Sequence, residues 1–145
     1  MLHSKGAYLS HDIDLILIGP ATQVGLDQAL GTSGFIRRGD RYTHPRARFY
    51  LEFPRGPLAI GSDFRIRPIE RRGPYGRLWL LSPTDSCRDR LAAFYHWDDR
   101  QSFRAALAIA CRNRVDLRRI RQWSLAEGAG QKFDEFEAEL ERMRQ

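Results

Sequence analysis

Lysine is almost absent from this chain. All but Lys5 and Lys132 of the 24 basic residues are arginine, and the formal net charge is +6. Arginine makes forked contacts to phosphate, but it is also the basic residue that a GC-rich genome supplies. The arginine excess alone therefore does not indicate a nucleic-acid partner.

Long apolar runs and cysteine are also scarce. No apolar run reaches the ~20 residues that a membrane-spanning helix needs, and the first residues lack the pattern of a signal peptide. The two cysteines, Cys87 and Cys111, do not make a disulfide framework. These absences predict a cytoplasmic protein with no membrane partner.

The composition itself is ordinary for a globular protein. The chain has 145 residues, of which 42% are hydrophobic and 29% charged, and a chain of this length can form one domain with a real core.

The most informative stretch runs from His11 to Gly19. Its density of branched apolar residues predicts a short buried strand. Because side chains alternate along a strand, Asp12 and Asp14 point the same way, and the apolar residues between and after them point the other way. Two like charges side by side are costly unless a cation neutralises them, and Mg²⁺ prefers oxygen ligands.

The rest of the first half alternates strands with one helix. A helix is predicted over residues 21–30, and a strong strand over residues 48–53 places Glu52 between Leu51 and Phe53. Residues 64–70 and 77–81 flank Arg72-Gly73-Pro74-Tyr75-Gly76, which is a hairpin signal. Two further short strands are predicted at residues 35–38 and 41–43.

From Ser82 onward the apolar period becomes helical. Ser82 is predicted to cap the first helix, with Pro83 at its first position and Asp85 at its third. Three more helices follow, with Phe133, Phe136, Leu140 and Met143 predicted on the apolar face of the last. The fold class is therefore α+β: residues 1–81 form an αβ part with a mixed sheet, and residues 82–145 form a helical bundle packed on it as one compact unit.

Three carboxylates could meet in the αβ part. If the strand of Asp12 and Asp14 lies next to the strand of Glu52, the three acids converge in a geometry suited to one or two Mg²⁺ ions and a nucleoside triphosphate. Two alternatives in which Glu52 is not a metal ligand stay open. Glu52 could face solvent on an edge strand, or it could pair with one of the many arginines.

Other residue patterns give weaker indications of a functional site. The four histidines lack zinc-ligand spacing, and Phe94, Tyr95 and Trp97 are predicted to pack rather than to stack on a base. Cys87 is interpreted as a core residue. A set of arginines could form a nucleic-acid face or an ordinary solvated surface; its members are Arg37, Arg38, Arg41, Arg46 and Arg48.

The ordered motifs resemble the DNA polymerase β-type nucleotidyltransferase superfamily. The closer resemblance is to small bacterial nucleotidyltransferase-like proteins related to the abortive-infection toxin nucleotidyltransferases. It is carried by four stretches that span nearly the whole chain, of which the third is the most specific. They are residues 6–14 (GAYLSHDID), 49–59 (FYLEFPRGPLA), 81–97 (LSPTDSCRDRLAAFYHW), and Val115-Asp116-Leu117 with Trp123-Ser124.

The resemblance implies a site and an activity. Asp12 and Asp14 match the metal-binding pair, and Glu52 matches the third carboxylate. Arg90 or Arg88 falls near a basic residue that contacts the nucleotide, and Asp99 lies near an acid that follows it. The implied reaction transfers a nucleotide from a triphosphate to a hydroxyl on a protein or RNA, with Mg²⁺.

One feature of the superfamily is missing before Asp12. A strand and a Gly-Gly or Gly-Ser turn that cradles the triphosphate should precede the acidic pair, but the eleven preceding residues contain neither dipeptide. We therefore expect a member without this strand and turn, whose open sheet edge invites pairing with a second copy. A second hypothesis follows: a catalytically inactive form acting as a binding or self-associating module, related to nucleic acid or to toxin–antitoxin systems.

Overall fold

The structure is a computed structural model that describes His3 and residues 11–17, 19–74 and 76–145. It divides the chain into two compact units. The sheet unit comprises Leu9–Leu58, and the helical unit comprises Met1–Tyr8 with Ala59–Gln145. The division therefore falls after Leu58, whereas the change in sequence pattern falls at Ser82.

The described residues of the sheet unit form four short strands and one helix. The strands form a single mixed sheet in the order β1-β4-β3-β2, in which β1 and β4 are parallel and the other neighbours are antiparallel. The elements are β1 (Asp12–Asp14), α1 (Gln23–Thr32), β2 (Ile36–Arg38), β3 (Arg41–Thr43) and β4 (Tyr50–Glu52).

The opening strand is shorter and more exposed than the sequence predicts. Strand β1 ends at Asp14, no residue in it is buried, and the side chain of Leu17 is largely exposed. The predicted strand is present but its predicted burial was wrong because, among the described residues, β1 pairs with β4 alone and lies at an edge of the sheet. Ile18 lies outside the described residues.

In the part of the helical unit that the structure describes, a two-stranded hairpin is followed by four helices. The hairpin is antiparallel and pairs Ile69 with Leu80 and Gly73 with Gly76. Among the described residues, no helix in either unit is both long enough and apolar enough to cross a membrane. The elements are β5 (Ile69–Gly73), β6 (Gly76–Leu80), α2 (Pro83–Trp97), α3 (Arg100–Arg112), α4 (Leu117–Ala126) and α5 (Gly130–Arg144).

Side-chain caps set where the helices of this unit start. The Oγ of Ser82 accepts a hydrogen bond from the amide of Asp85 at 3.0 Å, and Pro83 occupies the first position of α2. Asp99 and Asp116 cap α3 and α4 in the same way. The start of α2 at Ser82 was predicted from the sequence and is confirmed, because a cap is a local interaction that sequence shows directly.

The main apolar core lies among the helices. Phe94, Phe133 and Phe136 are almost fully buried there. Cys87 is also buried, and burial raises the pKa of its thiol to about 12, which confirms its interpretation as a core residue. Met143 was predicted on the apolar face of the last helix, but it is 54% exposed in the final turn of α5, where Leu140 is the last buried residue.

Candidate metal centre

Three carboxylates meet at the β1–β4 pair. The parallel register places Asp14 opposite Glu52, and Asp12 points to the same side as Asp14. One ligand oxygen from each of the three acids lies within 4.8 Å of the others. Asp12 and Glu52 are half-buried, and Asp14 is exposed. The predicted convergence of Asp12, Asp14 and Glu52 is therefore confirmed as geometry.

Backbone hydrogen bonds continue beyond both ends of the short strands. The amide of Tyr50 donates to the carbonyl of His11 at 2.8 Å, and the amide of Leu15 donates to the carbonyl of Glu52 at 2.9 Å. These bonds hold the backbone on both sides of the acids, so the acid positions follow from the strand register rather than from loop conformation.

Arg41 brings a positive charge to the acidic cluster. It lies opposite Glu52 in the β3–β4 register, and its Nε donates to Oε1 of Glu52 at 2.7 Å. Its guanidinium also lies over the ring of Tyr50, 4.5 Å from the centroid. Of the two open alternatives for Glu52, pairing with an arginine is the one observed. Sequence reasoning placed Arg41 only among a general basic set, since the register was not known.

A cleft of about 540 Å³ lies beside this pair of residues. Its wall includes Glu52 and three arginines, Arg37, Arg41 and Arg55. A cleft with several guanidinium groups and one acid from the cluster suits an anionic ligand that also contacts a cation.

A polar network forms another part of the cleft wall. Tyr42 is buried, and its hydroxyl donates to Asp27, while the amide of Gln23 donates to the Tyr42 hydroxyl at 2.5 Å. The hydrogen bond from Tyr42 holds the pKa of Asp27 below its usual value, and burial together with Asp27 raises the pKa of Tyr42. The network ties α1 to β3, which fixes one side of the cleft.

Arg88 is buried in the helical unit and bonded to two carboxylates. Its Nη1 donates to Asp85 at 2.8 Å, its Nη2 donates to Asp63 at 2.7 Å, and its guanidinium lies 4.9 Å from the ring centroid of Trp123. Arg119 approaches Asp85 as well, at 3.1 Å. The role shown for Arg88 is to join α2 to the loop before the hairpin, in which Asp63 lies. Its contact with a nucleotide stays a prediction.

Arg90 and Asp99 also lie in the helical unit. Arg90 forms an ion pair with Asp89 at 2.6 Å and is partly exposed. Asp99 accepts hydrogen bonds from the amide of Gln101 and from the hydroxyl of Ser102, and the Ser102 hydroxyl lowers the pKa of Asp99. Capping explains Asp99 without a ligand, and the nucleotide roles of both residues stay predictions.

The motif that precedes the acidic pair, from Gly6 to Ser10, lies outside the described residues, as does Tyr75 in the hairpin turn.

The residues of the acidic cluster fit Mg²⁺ by their chemistry. All three side chains offer carboxylate oxygens, the ligand type that hard divalent cations prefer, and no histidine or thiol competes within the cluster. Together with Arg41, one divalent cation would balance the three formal negative charges. Comparison with family models, with curated proteins and with solved structures found no match.

Proposed function

We propose that this protein is nucleotidyltransferase-like. It binds Mg²⁺ through Asp12, Asp14 and Glu52 and transfers a nucleotide from a nucleoside triphosphate to a hydroxyl of a protein or RNA. The observation that carries the proposal is the meeting of these three carboxylates on adjacent parallel strands. The motifs that resemble the superfamily support the same assignment.

Each residue of the site has a task in such a reaction. When bound, Mg²⁺ neutralises phosphate charge and helps to activate the attacking hydroxyl. Asp12 and Asp14 hold the cation from β1, and Glu52 holds it from β4. Arg41, which donates to Glu52 in the structure, would turn toward the phosphates if Glu52 held a cation. Arg55 and Arg37 line the neighbouring cleft and would bind the same anion.

Radiolabelled triphosphates test this function. The purified protein is incubated with each of the four α-labelled nucleoside triphosphates and Mg²⁺, with and without added RNA, and labelled products are separated by gel. We expect label on the protein or the RNA with wild type, and none with Asp12→Asn, Asp14→Asn or Glu52→Gln. Asp40→Asn is the matched control, because Asp40 lines the cleft but is not part of the cluster. Label that persists in the cluster variants would contradict the proposal.

A second candidate function is a non-catalytic binding or self-associating module. Two observations favour it: Arg41 already pairs with Glu52, and β1 pairs only with β4 among the described residues. An edge strand can add a strand from a second copy. This candidate predicts a dimer in analytical ultracentrifugation and no thermal shift with Mg²⁺ and triphosphates. A monomer whose stability rises with both ligands would instead support the enzyme.

A further inference from the structure

The hairpin of β5 and β6 carries an unusual concentration of exposed positive charge. The segment 64–80 contains five arginines and one acid, Glu70. The excess of positive over negative residues in this segment is thus a large share of the chain's net charge of +6. The arginines are Arg65, Arg67, Arg71, Arg72 and Arg77, all of them exposed. We call residues 64–74 and 76–80 the basic ribbon.

Exposed aromatic side chains lie on the same ribbon. Trp79 is 53% exposed and Phe64 is 64% exposed. The strand register pairs Trp79 with Glu70 and Arg72 with Arg77, so Trp79 shares one face of the ribbon with two arginines. An indole with guanidinium groups beside it can stack on a base while the arginines contact its phosphates.

Internal ion pairs neutralise little of this charge. Glu70 lies 3.0 Å from Arg72 and 3.9 Å from Arg77, and these two arginines are 78% and 67% exposed. Exposed pairs of this kind contribute little to stability, so a polyanion can replace Glu70 at low cost. Among the described residues, Arg67 and Arg71 form no ion pair at all.

The base of the ribbon is connected to a second group of arginines. His3 donates to the carbonyl of Leu81 at 2.9 Å, and its own carbonyl accepts from the side chain of Asn113 at 2.6 Å. Asn113 lies between the exposed residues Arg112 and Arg114. His3 therefore links the end of the ribbon to the turn between α3 and α4, where these two arginines lie.

From this arrangement we propose that the basic ribbon binds single-stranded nucleic acid. Three arginines on the hairpin and two just before it repel a second copy of the same ribbon and attract a polyanion, so the charge favours nucleic acid over self-pairing. Trp79 favours a single strand over a duplex, because the bases of a duplex are already stacked on each other. The basic ribbon and the acidic cluster share no residue. Substitutions can therefore abolish nucleic-acid binding without affecting cation binding, and the reverse.

Fluorescence anisotropy with labelled oligonucleotides of about 15 nucleotides tests the proposal. The probes are single-stranded RNA, single-stranded DNA and a duplex of the same sequence, titrated with the full chain between roughly 50 and 200 mM salt. We expect tighter binding to a single strand than to the duplex, and the RNA and DNA arms show which sugar is preferred. Absence of single-strand binding, or a preference for the duplex, would overturn the proposal. Competition by polyglutamate as strong as by oligonucleotide would assign the ribbon to acidic proteins and also overturn it.

Two pairs of matched variants locate the binding. Replacing Arg71, Arg72 and Arg77 together by glutamine should lower the slope of log affinity against log salt by about 2, since each single-strand phosphate contact contributes about 0.7. The control changes three exposed arginines of helices α3, α4 and α5, Arg104, Arg118 and Arg142, to glutamine and should leave the slope nearly unchanged. Equal losses in both triple variants would show an effect of net charge alone and would overturn the assignment to the ribbon.

The tryptophans give the second pair. Trp79→Leu should weaken binding about tenfold through loss of stacking. Trp97→Leu removes a tryptophan that is 77% exposed at the end of α2 and should leave binding unchanged. Unchanged affinity in Trp79→Leu would refute stacking on this residue. Circular dichroism of each variant shows whether the fold is retained.

Discussion

The helical unit and the sheet unit differ sharply in how they are held together. The helical unit has a continuous core of aromatic and aliphatic side chains between its helices. In the described part of the sheet unit, only Tyr42 and Leu51 are buried hydrophobic residues. Its order comes instead from strand pairing, from the Gln23–Tyr42–Asp27 network and from the Arg41–Glu52 pair.

The helical unit is stabilised by a large apolar core, whereas the sheet unit has a small core and carries the candidate metal ligands. The acidic cluster lies in the unit with little apolar core, where each polar contact is a larger share of the total. A ligand that binds only the folded state adds directly to stability, so a cation at the three acids should matter most in the sheet unit. The following changes test this contrast, from the largest expected effect to the smallest.

Arg88→Ala should cause the largest loss of stability. Removing Arg88 takes from Asp85, which is 1% exposed, one of its two arginine partners, and breaking a buried pair in this way costs about 3–5 kcal/mol. The free energy of unfolding is measured with urea through tryptophan fluorescence, which reports the helical unit because Trp79, Trp97 and Trp123 all lie there. Arg104→Ala, at an exposed position of α3, is the control. Equal stability of the two variants would contradict a structural role for Arg88.

Two leucine truncations compare the cores directly. Leu91 is fully buried in the helical unit, and Leu91→Ala should cost about 2–5 kcal/mol. Leu51→Ala removes the same atoms from the sheet unit, where fewer apolar neighbours surround them, and should cost less. Hydrogen exchange of each unit measures the two losses separately. A larger loss for Leu51→Ala would reverse the contrast between the units.

Two glycines with the same backbone conformation separate strain from contact. Gly61 and Gly39 have φ values of +57° and +62°, so alanine is strained at both, by about 1 kcal/mol. At Gly61 a Cβ would also lie 2.5 Å from a carboxylate oxygen of Glu127, whereas nothing lies within 4 Å at Gly39.

We therefore expect Gly61→Ala to cost about 2–3 kcal/mol and Gly39→Ala about 1. Thermal unfolding of both variants measures the difference. Similar losses would show that Glu127 moves aside without cost.

Acid should weaken the contact between Glu127 and Ser62. Burial alone would raise the pKa of Glu127, but hydrogen bonds from the hydroxyl and amide of Ser62 outweigh it and leave the pKa below the ordinary value of 4.5. Stability from this group is thus complete above that ordinary value and is lost as pH falls through the lower, folded-state pKa.

Urea unfolding across the acid range measures the effect. Glu127→Gln should flatten the dependence of stability on pH in that range, while Glu141→Gln, at an exposed position of α5, should leave it as in wild type. If Glu127→Gln left the dependence of stability on pH unaltered, the contact between Glu127 and Ser62 would not contribute to it.

Local signals were read well from the sequence. The cap at Ser82 and the hairpin of β5 and β6 follow from neighbouring residues, and both are present in the structure. The α+β class was also predicted correctly. The convergence of Asp12, Asp14 and Glu52 needed one non-local assumption, that their strands are neighbours, and the register bears it out.

Non-local partners could not be read in the same way. The pairing of Arg41 with Glu52 depends on the β3–β4 register, and the burial of Arg88 depends on Asp63, which is distant from it in sequence. The sequence pattern also did not show that the boundary between the units falls at Ala59. The hairpin has a strand pattern although it is not part of the four-stranded sheet.

Hydrogen exchange with and without Mg²⁺ tests the central claim most directly. At constant ionic strength, Mg²⁺ should slow exchange in peptides that contain β1 and β4 and leave the core of the helical unit unchanged. Asp14→Asn should abolish the effect, and the control Asp40→Asn should retain it. Exchange that is unaffected by Mg²⁺ in wild type, or equally slowed in Asp14→Asn, would contradict a cation site at Asp12, Asp14 and Glu52.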